Sequence, residues 1–172
     1  MKRIIVAILL CVISMSVFSQ KLLFKGYEIS GNAWEMKEVL EKEAYIYHCA
    51  DEGRILLTGS YLGYSDSKIH LYKTKFTSKL FAVQISLNCP YYTNTIDQYN
   101  FVKDLLSNEY GKAIQATEFQ KRNAASFSMC ISWQLSNGEI VLCVDNMGDT
   151  VTIFLHPTGW RNVRDAELYM DM

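Results

Sequence analysis

Residues 126–155 read SFSMCISWQLSNGEIVLCVDNMGDTVTIFL, and the fold of the chain turns on how they are read. Phe127, Met129, Ile131, Trp133 and Leu135 fall on every second position, with Ser126, Ser128, Cys130, Ser132 and Gln134 between them. Successive side chains of a strand point to opposite faces, so this spacing predicts a half-buried strand. Asn137-Gly138 is the pair best suited to the positive φ angles of a type I′ hairpin turn, after which Ile140, Leu142 and Val144 resume the alternation. A second turn at Met147-Gly148 leads to Val151, Ile153 and Leu155. The expectation is a three-stranded antiparallel meander with one apolar face that another layer must cover.

At the start of the chain, Lys2 and Arg3 precede an apolar run from Ile4 to Ile13, and Val17 and Ser19 supply small residues before Gln20. The pattern reads as a secretory signal peptide over residues 1–19. Its apolar core is about ten residues, too short for the roughly twenty that span a bilayer, so no transmembrane anchor is expected after cleavage. A lipoprotein reading through Cys11 suffers from the bulky Leu10 before it. Cleavage would leave 153 of the 172 residues, enough for one domain, residues 20–172, with a core of its own. It would also leave 15 basic against 18 acidic residues, a charge of −3 without the basic footprint of a nucleic-acid binder. The expected location is the periplasm or the medium.

Upstream of the meander, residues 22–29 are extended in character. Asn32 followed by Glu35 reads as a cap for a helix over 33–43 with Met36, Val39 and Leu40 on its apolar face. Four strand-like runs follow at 44–49, 54–62, 68–73 and 80–87, punctuated by Gly53, Gly63 with Ser65-Asp66, and Thr77-Ser78. Thr95 with Gln98 then reads as a capping box for a second helix, with Tyr99, Val102, Leu105, Leu106 and Tyr110 on one face and a stop at Gly111. A short C-terminal helix through Val163, Ala166 and Tyr169 is compatible with the tail. The order of elements therefore occurs twice, over about 24–90 and 91–157, with the tail at 158–172. The fold class this predicts is α+β, an antiparallel sheet with two helices on one face, built from two α-then-meander repeats, with Trp133, Ile131, Leu142, Val83, Ile85, Val102 and Leu106 in one core.

Phe24-Lys25-Gly26, the stripe of the first helix, Leu57-Thr58-Gly59-Ser60-Tyr61, Tyr110-Gly111, and Trp133 with Asn137-Gly138-Glu139-Ile140 resemble small secreted bacterial proteins with the tandem-repeat fold of the beta-lactamase inhibitory protein. The resemblance implies an eight-stranded concave sheet whose open face binds a partner protein.

Four cysteines lie beyond the signal peptide: Cys49, Cys89, Cys130 and Cys143. A two-residue Asn137-Gly138 turn would set Ser136 opposite Glu139 and Cys130 opposite Asp145. Cys130 and Cys143 are then diagonal neighbours and a candidate disulfide. Cys49 and Cys89 would end the first and fourth strands of the upstream meander, at opposite ends. The same register sets His156 opposite Glu139, four residues along the strand from Cys143. At about 3.3 Å per residue that is on the order of 13 Å, too far for a nucleophile and its base. His48, Cys49, Asp51 and Glu52 match no metal-site spacing, and no phosphate-binding, dinucleotide or hydrolase motif occurs, so no catalytic residue, metal or cofactor is expected. The face opposite the core carries His70, Tyr72, Gln84, Ser86, Ser132, Gln134, Val141, Cys143, Thr152, Phe154 and His156. Of these, Tyr72, His70, Val141, Phe154 and His156 are the candidate binding residues, with Val141 and Phe154 directly opposed as an exposed apolar patch. The reading that follows is an exported, non-enzymatic module that binds a protein partner through the open face of its sheet. An envelope structural protein, or an enzyme whose site the sequence does not display, is the alternative. Protein recovered from the cell envelope or medium is expected to begin at Gln20; mass spectrometry that finds Met1 intact overturns the signal peptide.

Overall fold

The computed structural model describes residues 21–88 and 94–168. The expected signal peptide over residues 1–19, Cys89 and Tyr169 lie outside them. Two short strands, β1 (Leu23–Phe24) and β2 (Tyr27–Glu28), form a hairpin, followed by helix α1 (Ala33–Lys42) and strands β3 (Ile46–Ala50), β4 (Arg54–Tyr61), β5 (Tyr64–Lys73) and β6 (Leu80–Leu87). Helix α2 (Thr95–Tyr110) leads through β7 (Ile114–Gln115) and a short helix α3 (Thr117–Arg122) to β8 (Phe127–Leu135), β9 (Gly138–Asp145), β10 (Val151–Pro157) and helix α4 (Trp160–Leu168). Strands β3 to β10 form one eight-stranded sheet in the order β3-β4-β5-β6-β10-β9-β8-β7. Every pair in it is antiparallel. The fold is thus α+β around an antiparallel sheet, and among the described residues no helix is long and apolar enough to cross a membrane.

The helix ends follow local chemistry. Asn32 caps α1, its side-chain oxygen accepting from the Trp34 amide at 2.9 Å. For α2 the cap is Asn94, one residue before the expected Thr95, and it accepts from the Ile96 amide at 2.9 Å. The Gln98 side chain is buried. Gly111, at φ 83°, ends α2 in a conformation that favours glycine. Met36 and Leu40 of α1 and Tyr99, Val102 and Leu106 of α2 bury in the same cluster as Ile55, Leu57, Ile69, Leu71, Val83, Ile85, Trp133, Leu142 and Ile153. Ile131 packs at its margin. The Trp133 indole donates to the Gly111 carbonyl at 2.9 Å, tying β8 to the end of α2.

The turns correct the expected register. Positive φ at both central positions, which a type I′ turn requires, occurs at Lys25-Gly26 and at Leu62-Gly63. The second of these extends β5 back to Tyr64, four residues earlier than its alternation suggested. None of Ser136, Asn137 and Gly138 has a positive φ. The β8–β9 loop is Ser136-Asn137, because Leu135 pairs with Gly138 and Gln134 with Glu139. Asn137 serves another purpose: its side chain accepts from the Leu22 amide and donates to the Leu22 carbonyl, clamping the start of the described chain. Gly138 is a glycine for space, since a Cβ there would meet the His156 carbonyl and come within 2.7 Å of the Leu22 side chain. Gly138→Ala is expected to cost roughly 1–3 kcal/mol by overpacking. Urea unfolding against wild type checks it, and a loss within 0.5 kcal/mol, about the usual range for neutral surface changes, would mean that the close approach is not a constraint.

Candidate functional site

The face of the sheet turned away from the main core runs across all of its long strands. His70 pairs with Gln84, Gln84 with Phe154, Phe154 with Val141, and Val141 with Ser132. A parallel row joins Ser86, Thr152, Cys143 and Cys130. In the second half of the sheet this face is not open. Cys130, Ser132, Val141, Cys143, Thr152 and His156 are all buried. Helix α3 covers them, placing Phe119 over Phe154 at a ring separation of 5.1 Å, with Phe127 edge-on to Phe154 at 5.4 Å. Ala116, Cys130, Val141 and Cys143 form a second, smaller apolar cluster with these rings at its margin.

The expected exposed patch of Val141 and Phe154 is therefore interior. The two are directly opposed, as the alternation predicts, but Val141 is 0% exposed and Phe154 only partly so. A half-buried reading of β9 cannot hold, because Ile140 to Val144 are all buried and a strand covered on both faces is apolar at consecutive positions. Phe154→Ala would empty a packed site rather than trim a surface.

The corrected register makes Cys130 and Cys143 Cα partners, directly opposed and not diagonal. Both are free thiols here, as is the exposed Cys49 on β3. The hydrogen bond between the two thiols, with burial, pushes Cys143 up, and the same bond lowers Cys130. His156 lies four residues farther along the pairing, opposite Glu139. Around the other titratable cluster, Asp51 accepts from the Gly53 and Arg54 amides at 2.9 Å and closes the β3–β4 turn. His48 pairs with the Thr58 hydroxyl at 2.7 Å.

Of the five candidate binding residues, the structure brings Tyr72, Phe154 and His156 to one cleft of about 500 Å³ between this face, α3 and α4. Phe81, Trp160, Arg122, Arg161 and Arg164 line it with them. The Tyr72 hydroxyl donates to Gln84 at 2.7 Å, which fixes the ring 6.2 Å from Phe81. Trp160 stacks on His156 at 4.5 Å with 15° between the planes, and His156 in turn stacks on Phe154 at 5.8 Å. The guanidinium carbons of Arg161 and Arg164 lie 5.3 and 5.2 Å from the Trp160 ring centroid. A second hollow of about 420 Å³, reaching to Arg54, Lys75 and Phe76, shares Tyr72, Phe81 and Arg164 with the first. His70 is elsewhere, in a hollow with Thr58, Lys68 and Ser86. Burial, then the charges of Arg54 and Lys68, hold its imidazole below the usual value.

The tryptophan and the arginines were overlooked by alternation because they lie on helices. Their signal is Trp160-Arg161 with Arg164 four residues on, a spacing that sets Trp160 and Arg164 on one side of a helix. Comparisons of the chain with family models, curated proteins and solved structures returned no match.

Beside the cleft, His156 Nδ1 lies 3.4 Å from Glu139, an ion-pair distance without a well-formed hydrogen bond. That imidazole, helped by the Gln134 amide and Arg161, holds the Glu139 carboxyl below its usual 4.5 in spite of partial burial. A carboxylate with a depressed folded-state pKa stabilises the fold above its unfolded value, and that contribution is lost as pH falls through the folded value. Wild type is therefore expected to lose stability more steeply than Glu139→Gln as pH drops below 4.5. Urea melts of both proteins near neutrality and through the acid range read the difference, and parallel profiles would overturn it.

Proposed function

We propose that the protein is an exported, non-enzymatic binding module whose working surface is the cleft on the second face of its sheet. The observation that carries this is the convergence of Tyr72, Phe81, Phe154, His156 and Trp160 around one hollow of about 500 Å³. Binding sites are concave, mostly apolar, and carry a few polar groups that set orientation, and volumes of roughly 300–1,000 Å³ are usual. The rings come from two separate stretches of the chain, β5 with β6 and β10 with α4, and they pack on one another, so the cavity is formed before a ligand arrives.

The architecture supports a tandem origin for this surface. In this reading α1 with β3 to β6 is one copy and α2 with β8 to β10 the other, both helices lie on the core face, and β7 with α3 is an addition that roofs one end of the other face. Export would place the opposed Cys130 and Cys143 where thiols oxidise, and we expect them to bridge; the mass of the exported protein without reductant, lower by two hydrogens, reads the bond, and unchanged mass refutes it.

Titration with small neutral aromatic compounds, followed by amide NMR, tests the binding surface. Shifts are expected at Tyr72, Phe81, Ala82 and Trp160 and are expected to vanish in Trp160→Ala. Shifts confined to other surfaces, or turnover of the compounds, would overturn the reading.

A further inference from the structure

We infer that the cleft takes a small planar organic anion, its ring against Tyr72 and Phe81 and its acidic group on Arg122, Arg161 and Arg164. This rests on the proposal that the cleft is the binding surface, and it adds the chemistry of the ligand.

The first argument is charge. The chain carries 17 basic against 18 acidic residues, yet the lining of this cleft includes three arginines and no carboxylate. The positive charge is therefore local, not a reflection of composition. The arginines arrive from two directions, Arg122 on the last turn of α3 and Arg161 with Arg164 on the first turns of α4. Among the described residues Arg122 and Arg161 have no ion-pair partner, while Arg164 gives one side of its guanidinium to Asp165 at 2.8 Å. Glu139 lies in an adjoining hollow that Arg161 also lines, and Asp51 and Glu52 line the hollow that shares Arg164, so the acids surround the cleft without entering it.

The second argument is preorganisation. Arginine side chains normally pay for immobilisation when they grip an anion; here the Trp160 face already holds two guanidiniums. Trp160 is itself fixed by its stack on His156, which is 4% exposed and wedged against Phe154 and Phe119. A planar guanidinium offers paired N–H donors that match the two oxygens of a carboxylate, or those of a phosphate or sulfonate.

The third argument is shape. The rings are half-buried around a concave hollow between the sheet, α3 and α4, which favours a small molecule over the flat surface of a protein partner. An inorganic anion alone would leave the aromatic walls of a 500 Å³ hollow unfilled.

Calorimetric titration of the purified chain with naphthoate, naphthamide and inorganic phosphate separates these contributions. Naphthoate is expected to bind at one site, roughly tenfold more tightly than the uncharged amide, the worth of one charge-assisted hydrogen bond. The double variant Arg161→Gln/Arg164→Gln, and independently Arg122→Gln on the other helix, should weaken naphthoate while leaving naphthamide unchanged. A purely structural role would weaken both. All three arginines are exposed, and circular dichroism verifies that the variants fold. Equal affinity for naphthoate and naphthamide overturns the anionic ligand while sparing the cleft as a binding surface; no binding of either overturns both. Naphthoate affinity untouched by every arginine variant, or phosphate bound as tightly as naphthoate, also overturns the inference.

Discussion

The pairing of β6 with β10 makes one sheet out of two meanders. Leu87, Ile85 and Val83 face Val151, Ile153 and Leu155 across it, and all six are at most 2% exposed. A four-stranded piece with a single helix would leave this edge unpaired and its apolar row wet. The side-chain period of a strand is two, so the seam also decides which residues reach the second face on both sides of it. Ser86 with Thr152 and Gln84 with Phe154 are the pairs it sends there. The two walls of the cleft, Tyr72 and Phe81 from one meander and Phe154 and His156 from the other, face each other only because this pairing holds its register.

The second face is built asymmetrically. Along β5 the buried Ile69 and Leu71 alternate with exposed Lys68 and half-buried His70, as expected where one side meets solvent. Along β9 five consecutive apolar residues are buried, because α3 lies over that end of the sheet. The cleft sits where cover gives way to open face. Farther toward β3 no described element roofs the sheet, and beyond Phe154 the Phe119 and Phe127 rings fill the space.

Much of this was legible in the sequence, and the failures share a cause. Alternation located the core faces of β8, β9 and β10, and helical spacing located both major helices, because those signals depend on neighbours along one element. The β8–β9 loop went astray because Asn137-Gly138 suits a tight turn on local grounds, whereas its residues answer to long-range demands from Leu22 and His156. The same one-residue error moved Cys130 from a diagonal position to one directly opposite Cys143. The α2 cap fell on Asn94 because a side-chain oxygen there is as able as that of Thr95 and sits one residue closer to the entering chain. Exposure of Val141 and Phe154 was misjudged for a different reason: the residues between α2 and β8 show no strong period, and the six-residue α3 that covers the patch announces itself only by Phe119. The arginines of the cleft could be seen as residues, but nothing in their own segments says which face of the sheet they return to.

That return is fixed at Asn137. Its side chain holds both backbone groups of Leu22, and its own carbonyl accepts from the Thr158 amide at 2.8 Å, just beyond the end of β10. Gly159 follows at φ 77°, a conformation that lets the chain turn back immediately, and α4 begins with Trp160. The position of Trp160 over His156 is thus set by a short loop pinned on one side by a hairpin turn and limited on the other by the one-residue reach of glycine. Asn137 couples three remote parts of the chain: the first described residues, the β8–β9 hairpin and the launch of α4. Because Arg161 and Arg164 are carried on that helix, the charge of the cleft is positioned by the same residue that secures the Leu22 backbone.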